Sequence, residues 1–329
     1  MNHTTSFPVD EAVVDRLLHS TDPSIVLRTR VEILGESSRT KNLKEIQKEV
    51  SRSDRIRVLL SEYRKNGTPQ LHPYSKWSGA HWILSSLADL YYPNGDKSLI
   101  PLREQVYEWL QSEAHFEHIR KRNEVVRAHA SMEGNAIYYL AKLGLSDDRT
   151  RALADLLVEW QWPDGGWNCD QRSTAHTSSF TESLWPLRGL VHFSSASPKK
   201  RSYRDAVESA AEYFLQRKLY KRVADGRIID EKFTKLHYPC YWHYDILFGL
   251  KVMKEAGRIK DERCSEAISL LESKRLGDGG FPSEAAYYRV SKSRKVVSGR
   301  SLVSWGGIDR KRMNEFVTVD AMSVLAGLK

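Results

Sequence analysis

The sequence predicts an all-α protein built of helical hairpins, and three observations predict it. Apolar residues recur three and four positions apart in a series of segments, as amphipathic helices require. Short polar turns, such as Pro93-Asn94-Gly95-Asp96 and Ser146-Asp147-Asp148, separate those segments and supply capping side chains. One hairpin-length pattern then returns about 114 residues further along the chain. No segment shows the alternation of a β-strand.

In order, residues 26–36 and 41–50 predict a first helical pair. Residues 79–111 predict a second, rich in aromatics. Residues 135–167 form the clearest unit: a helix, a polar turn, a second helix and an Asp-Gly-Gly-aromatic loop. Residues 180–190 and 206–216 predict a further pair. Residues 245–281 repeat the clearest unit. Gly144 matches Gly257, Arg149 matches Arg263, and Asp164-Gly165-Gly166-Trp167 matches Asp278-Gly279-Gly280-Phe281. Residues 317–329 read as one more first helix. A hairpin cannot bury its apolar face alone, so neighbours must stack. Aromatic-rich first helices favour closure into a ring, an α/α toroid, with first helices inside and second helices outside. The expected organisation is an N-terminal helical segment over 1–70 packed on a toroid over 71–329.

The 329 residues are 40% hydrophobic and 28% charged, ordinary for a globular protein with a sizeable core. Net charge is +9, with basic runs at 118–122, 199–201 and 289–300. Such runs favour an anionic partner or form a solvated face. No nucleic-acid motif accompanies them. Three cysteines, Cys169, Cys240 and Cys264, do not make a disulfide framework and fit a reducing cytoplasm. The polar N-terminus has no apolar signal core, and no apolar run reaches the roughly 18 residues of a membrane span.

Gln161-Trp162-Pro163-Asp164-Gly165-Gly166-Trp167 resembles the QW-type repeat motif of the squalene cyclases. The wider resemblance, over residues 77–329, is to the α/α-toroid superfamily that includes those cyclases and the protein prenyltransferases. It implies a terpenoid cyclase or prenyltransferase-like enzyme acting on an isoprenoid or similar lipid in an aromatic central cavity. It also implies that Gln161 and Trp162 tie adjacent hairpins together. The chain departs from the pattern in two ways. No Asp-x-Asp-Asp acid cluster exists. Aligned on the inner helices, the prenyltransferase zinc cysteine falls at Glu182 and the zinc histidine near Trp242.

In a ring, the starts of first helices face the centre, and polar residues gather there. Glu133 and Asn135 form one group; Cys169, Asp170, His176 and Glu182 a second. His237, Tyr238, Tyr241, Trp242, His243 and Asp245 form a third, and Asn314, Glu315 and Asp320 a fourth. Helix capping accounts equally for many of the acids and amides. The third group is the strongest candidate. His243, His237 and Asp245, with Glu182 and Glu133, are the expected acid–base residues. Trp242, Tyr241, Tyr238 and Trp167 offer aromatic faces to a developing cation, with Asn135, Asn314, Glu315 and Asp320 as further substrate contacts. Cys169, Asp170 and His176 share a loop and form a candidate metal set, with zinc or magnesium as the ion. The resemblance to protein prenyltransferases, whose post-Gly-Gly loops supply Arg and Lys, implies that Arg289, Lys292, Arg294 and Arg300 meet a diphosphate; a solvated loop is the alternative reading. A non-catalytic binding module and a carbohydrate-active toroid enzyme are the alternative readings.

Overall fold

The computed structural model describes residues 10–64, 71–196, 201–291 and 299–329. Among them the chain is mainly helical. The first helices are α1 (Glu11–Leu18), α2 (Pro23–Arg28, running into a wider turn over Thr29–Ile33), α3 (Lys41–Arg52) and α4 (Asp54–Arg64). Then follow α5 (Ala80–Asp89), α6 (Ile100–Leu110), the single turn α7 (Glu113–Phe116), α8 (Ser131–Lys142), α9 (Asp148–Trp160), α10 (Phe180–Ala196) and α11 (Arg201–Gln216). The last are α12 (Ile246–Glu255), α13 (Ser265–Glu272) and α14 (Glu315–Ala326). No helix among the described residues is long and apolar enough to cross a membrane.

The connections also hold short strands that the sequence pattern does not reveal. β1 (Arg120–Arg122) pairs antiparallel with β2 (Val125–Arg127). β3 (Pro282–Ser283), β4 (Arg289–Val290), β5 (Arg300–Ser301) and β6 (Asp309–Met313) make two further pairs, β3 with β6 and β4 with β5. At two to five residues, these strands are too short to display a period-two pattern. Arg120, Lys121 and Arg122 are exposed, so that basic run is a solvated hairpin. Arg201, Arg289 and Arg300 are exposed as well. Lys199, Lys200, Lys292, Arg294 and Lys295 lie outside the described residues.

Helix starts follow the capping chemistry of the sequence. Asp147 caps α9 and exchanges bonds with Thr150; Asp245 caps α12; Asn314 caps α14. The first helix of each pair is buried on nearly every side, as in α5, α12 and α14, whereas α9 buries one stripe. The buried helices contact one another in succession. α8 packs on α5 and α10, α10 on α12, α12 on α14, and α14 on α2 and the turn after it. Where α8 meets α10 the backbones nearly touch: a Cβ on Gly134 would lie 2.2 Å from Pro186 N.

Matched residues in the two clearest units take matching geometry. Trp162 N donates to Gly166 O and Gly165 N to Trp162 O, just as Leu276 N donates to Gly280 O and Gly279 N to Leu276 O. Gly165 and Gly279 both have positive φ, 94° and 83°. Arg149 pairs with Asp147 and Glu104, and Arg263 with Asp261 and Glu212. The first turn docks on the following helix α11, the second on α1 at the start of the chain. Gln161 Nε2 donates to Ala206 O of α11, and a Cβ on Gly165 would strike Ser209 O at 2.2 Å. A Cβ on Gly279 would come 2.4 Å from Asp10, the cap of α1, and Arg16 of α1 pairs with Asp278.

The N-terminal helices are bound to the last ones through buried charge. Arg28 is fully buried and bonds Glu32 at 2.9 Å and Asp320 of α14. Lys251 of α12 meets Asp320 at 2.6 Å. Burial by itself lowers the Arg28 pKa, yet the charges of Asp320 and Glu32 turn the net shift upward, so the guanidinium stays charged. Replacing Asp320 by Ala strands Lys251 and leaves Arg28 with Glu32 alone, and is expected to cost about 3–5 kcal/mol, read as a fall in the urea midpoint. A loss below about 1 kcal/mol would mean that this network does not hold the helices together.

Candidate functional site

Four histidines converge on one cavity. His72 lies in the segment before α5; His115 on α7; His118 just after it; His129 just before α8. Together with Tyr74, Trp109, Ile119 and Met132 they line a space of about 270 Å³. The short helix α7 is set by Ser112, whose Oγ accepts from His115 N at 3.2 Å. That places His115 Nε2 2.6 Å from Glu133 Oε1 in the first turn of α8, with both side chains largely buried. Glu133 Oε2 is buried with no hydrogen-bond partner among the described residues. An unsatisfied buried carboxylate oxygen is costly and marks the dyad as poised for another donor.

Beside the dyad stands a second cluster. Glu182, in the first turn of α10, accepts from Ser131 N at 3.1 Å and faces His129 Nδ1 at 3.0 Å. Cys169, carried on the loop after the Asp-Gly-Gly turn, joins them. One ligand atom from each of His129, Cys169 and Glu182 lies within 4.8 Å of the others. The hydrogen bond toward Cys169, then that to Glu182, pushes the His129 pKa up to about 10.

The candidate metal set of Cys169, Asp170 and His176 does not come together as a cluster. Cys169 keeps its place, but Asp170 turns to Arg172, with Nη2 at 2.6 Å, and His176 is exposed. A short Asp–Arg pair two residues apart is satisfied locally, so Asp170 is not free for the cluster. His129, not His176, stands beside Cys169. The sequence signal for His129 was weak: a lone histidine among basic residues, 40 positions before Cys169.

The 237–245 segment is held together tightly in a different environment. His237 Nδ1 lies 2.7 Å from Asp245 Oδ2, and both are buried. Asp245 also accepts from His237 N and Phe248 N at 2.9 and 2.8 Å. His243 is sandwiched between Trp242 at 3.9 Å and Tyr287 at 3.6 Å. Burial first, then the nearby charges of His237 and Lys76, drive its pKa down to about 3. At neutral pH that imidazole is uncharged and a weak base. Tyr241 stacks on Trp77 at 4.0 Å, and its carbonyl accepts from Trp185 Nε1 at 2.5 Å; Tyr238 stacks on Phe316 at 4.7 Å. These rings are packed against each other rather than facing the histidine cavity.

The remaining expected residues are dispersed. Asn135 bonds His81 and Ser85 in the core, where burial pushes His81 down to about 3. Trp167 is 1% exposed and donates to Leu157 O. Asn314 caps α14, Asp320 joins the buried ion network, and Glu315 lines a separate cavity with Arg55, Arg312 and Trp305. Glu182, His243 and Glu315 therefore sit in three environments. No family model matches this chain, and no curated protein or solved structure matches it.

The His237–Asp245 pair gives a pH dependence. Burial disfavours the imidazolium, but the Asp245 charge and hydrogen bond outweigh it, leaving the His237 pKa above its usual 6.5. The stabilisation is fully present below about pH 6.5 and is lost as pH rises through the higher folded-state value. Asp245→Asn keeps the helix cap and removes the charge. Its unfolding midpoint is expected to fall less than that of the wild type between pH 6 and 9; parallel curves would refute the assignment.

Proposed function

We propose that the hairpins close into an α/α ring and that the protein is a zinc-dependent enzyme acting on a small, partly apolar molecule in the histidine-lined cavity. Closure is supported by the two Asp-Gly-Gly turns. The first seats against α11, the outer partner of α10. The second seats against α1, which thereby serves as the outer partner of α14. A second support is the cavity at the far end of α8. It draws its lining from the turn after α2 and from α5, α8, α10, α12 and α14.

The observation that carries the chemistry is the trio of His129, Cys169 and Glu182 beside the His115–Glu133 dyad. Nitrogen, sulfur and carboxylate oxygen from three residues are a ligand set zinc accepts, with a fourth position left for substrate or water. A cysteine sulfur does not suit magnesium, which takes hard oxygen ligands. Zinc held there would polarise a substrate oxygen or lower the pKa of a water. Glu133 orients the His115 ring through Nε2, so Nδ1 is the atom that takes or returns a proton. Glu182 also bonds the backbone at Ser131 and so sets the start of α8 against α10.

Tyr74, Trp109, Ile119 and Met132 give the cavity apolar walls suited to a prenyl group or similar chain. Its volume of about 270 Å³ is small for a squalene-sized polyene, which favours a short prenyl substrate. The isoprenoid class rests on those walls and on the resemblance of the repeat motif.

Purified protein is expected to retain about one zinc per chain, and Cys169→Ser to lose most of it. Because the ligands must shed protons, calorimetric enthalpies of zinc binding should vary with the buffer's ionisation enthalpy. Absence of zinc from both proteins, after loading with zinc salts, would end the metal reading. With labelled short prenyl diphosphates as substrates, Glu133→Gln is expected to lower kcat by about 10²- to 10⁴-fold with a smaller change in KM.

A further inference from the structure

The cavity at the opposite ends of the buried helices is lined by charge instead of histidine and aromatic walls. Its volume is about 380 Å³. On α8, Glu133 of the histidine cavity and Lys142 of this one are nine residues apart, about 14 Å along the axis. Buried Asn135, Tyr139 and Trp185 fill the core between those levels. The two spaces are separate sites.

Two groups in this cavity, Arg188 and Lys142, lack the partner their chemistry requires. Arg188 is 2% exposed and gives Nε and Nη2 to Glu255 at 2.8 and 2.9 Å, with Asp89 at 3.0 Å. Its Nη1 is buried with no hydrogen-bond partner among the described residues. Lys142 Nζ lies 4.2 Å over the Tyr91 ring, and no carboxylate among the described residues lies within ion-pair distance of it. His192 Nε2 lies 3.4 Å from Glu255 Oε2 and is partnered by it. Lys254 finds only uncharged acceptors: Ser323 O, Ser323 Oγ and Glu32 O.

The charges do not cancel. Lys142, Arg188, Lys251, Lys254 and Arg28 face Glu32, Asp89, Glu255 and Asp320, one cation in excess. The carbonyl ends of the surrounding helices offset part of that excess. They leave the third arm of Arg188 without an acceptor, and an unsatisfied buried guanidinium N–H is expensive.

We propose that this cavity is a second ligand site, taking a small molecule whose carboxylate or phosphate oxygens accept from Arg188 Nη1 and Lys142 Nζ. The body of the ligand lies against Val31, Tyr91 and Tyr138. Burial lowers the Lys142 and Lys254 pKa values, and an anion bound beside them opposes that shift and accepts a charge-assisted hydrogen bond. The assignment is independent of the zinc reading, because it shares no residue with the histidine cavity.

The test is calorimetric titration of the full chain with inorganic phosphate, pyrophosphate or citrate in a buffer free of other oxyanions. At least one of the three is expected to bind at a single site with a Kd of about 1 mM or tighter, and to raise Tm. A phosphate source is indicated if phosphate or pyrophosphate is preferred, a carboxylate source if citrate is. Lys142→Met has no ion pair to lose, so its ligand-free Tm should match or exceed the wild type. Its affinity for the bound anion should fall about tenfold or more. His192→Gln, which keeps a donor, should bind within about threefold of wild type. No binding of any of the three anions, or equal binding by Lys142→Met, would overturn the proposal.

Discussion

The structure depends on Asp320, a single buried carboxylate near the middle of the last helix. It holds Arg28 from the second helix and Lys251 from the twelfth, joining parts of the chain 292 residues apart in the first case. A cation so deeply buried is stable only with a fixed counter-charge. Apolar packing pulls the helices together without direction, whereas this pairing sets which helix meets which. It also places the turn after α2 beside α14, which creates the charged cavity.

A second constraint is the Asp-Gly-Gly turn. Its backbone hydrogen bonds reverse the chain after a helix, and its positive-φ glycine lets another helix approach to contact. Asp164 then holds the next loop by accepting from Ser178 N at 2.8 Å. That loop carries Cys169. The element that ties neighbouring hairpins together therefore also delivers a site residue, and architecture and candidate chemistry share one sequence motif.

Most helices were legible because apolar period and capping residues are local properties. Asp147, Asp245 and Asn314 each cap a helix close to where the pattern begins. Glu133 and Glu182 were legible as helix-start acids, and Cys169 as a candidate ligand. His129 and His115 were not, since neither stands in a recognisable spacing with Cys169 or Glu133. His237, His243 and Asp245 looked like a catalytic cluster because His, Trp and Tyr crowd together in sequence. In three dimensions the rings stack on each other, and Asp245 is occupied by His237 and the start of α12.

The sequence by itself determined the helical segments, their caps and the matching Asp-Gly-Gly turns, because each depends on residues within a few positions of one another. Only the tertiary structure decided which histidines meet which carboxylates. It also decided that Asp170 is held by Arg172 and that Arg188 keeps one arm unpaired. Those outcomes depend on approach between helices distant in the chain, where a shift of one turn, about 5 Å, changes every partner.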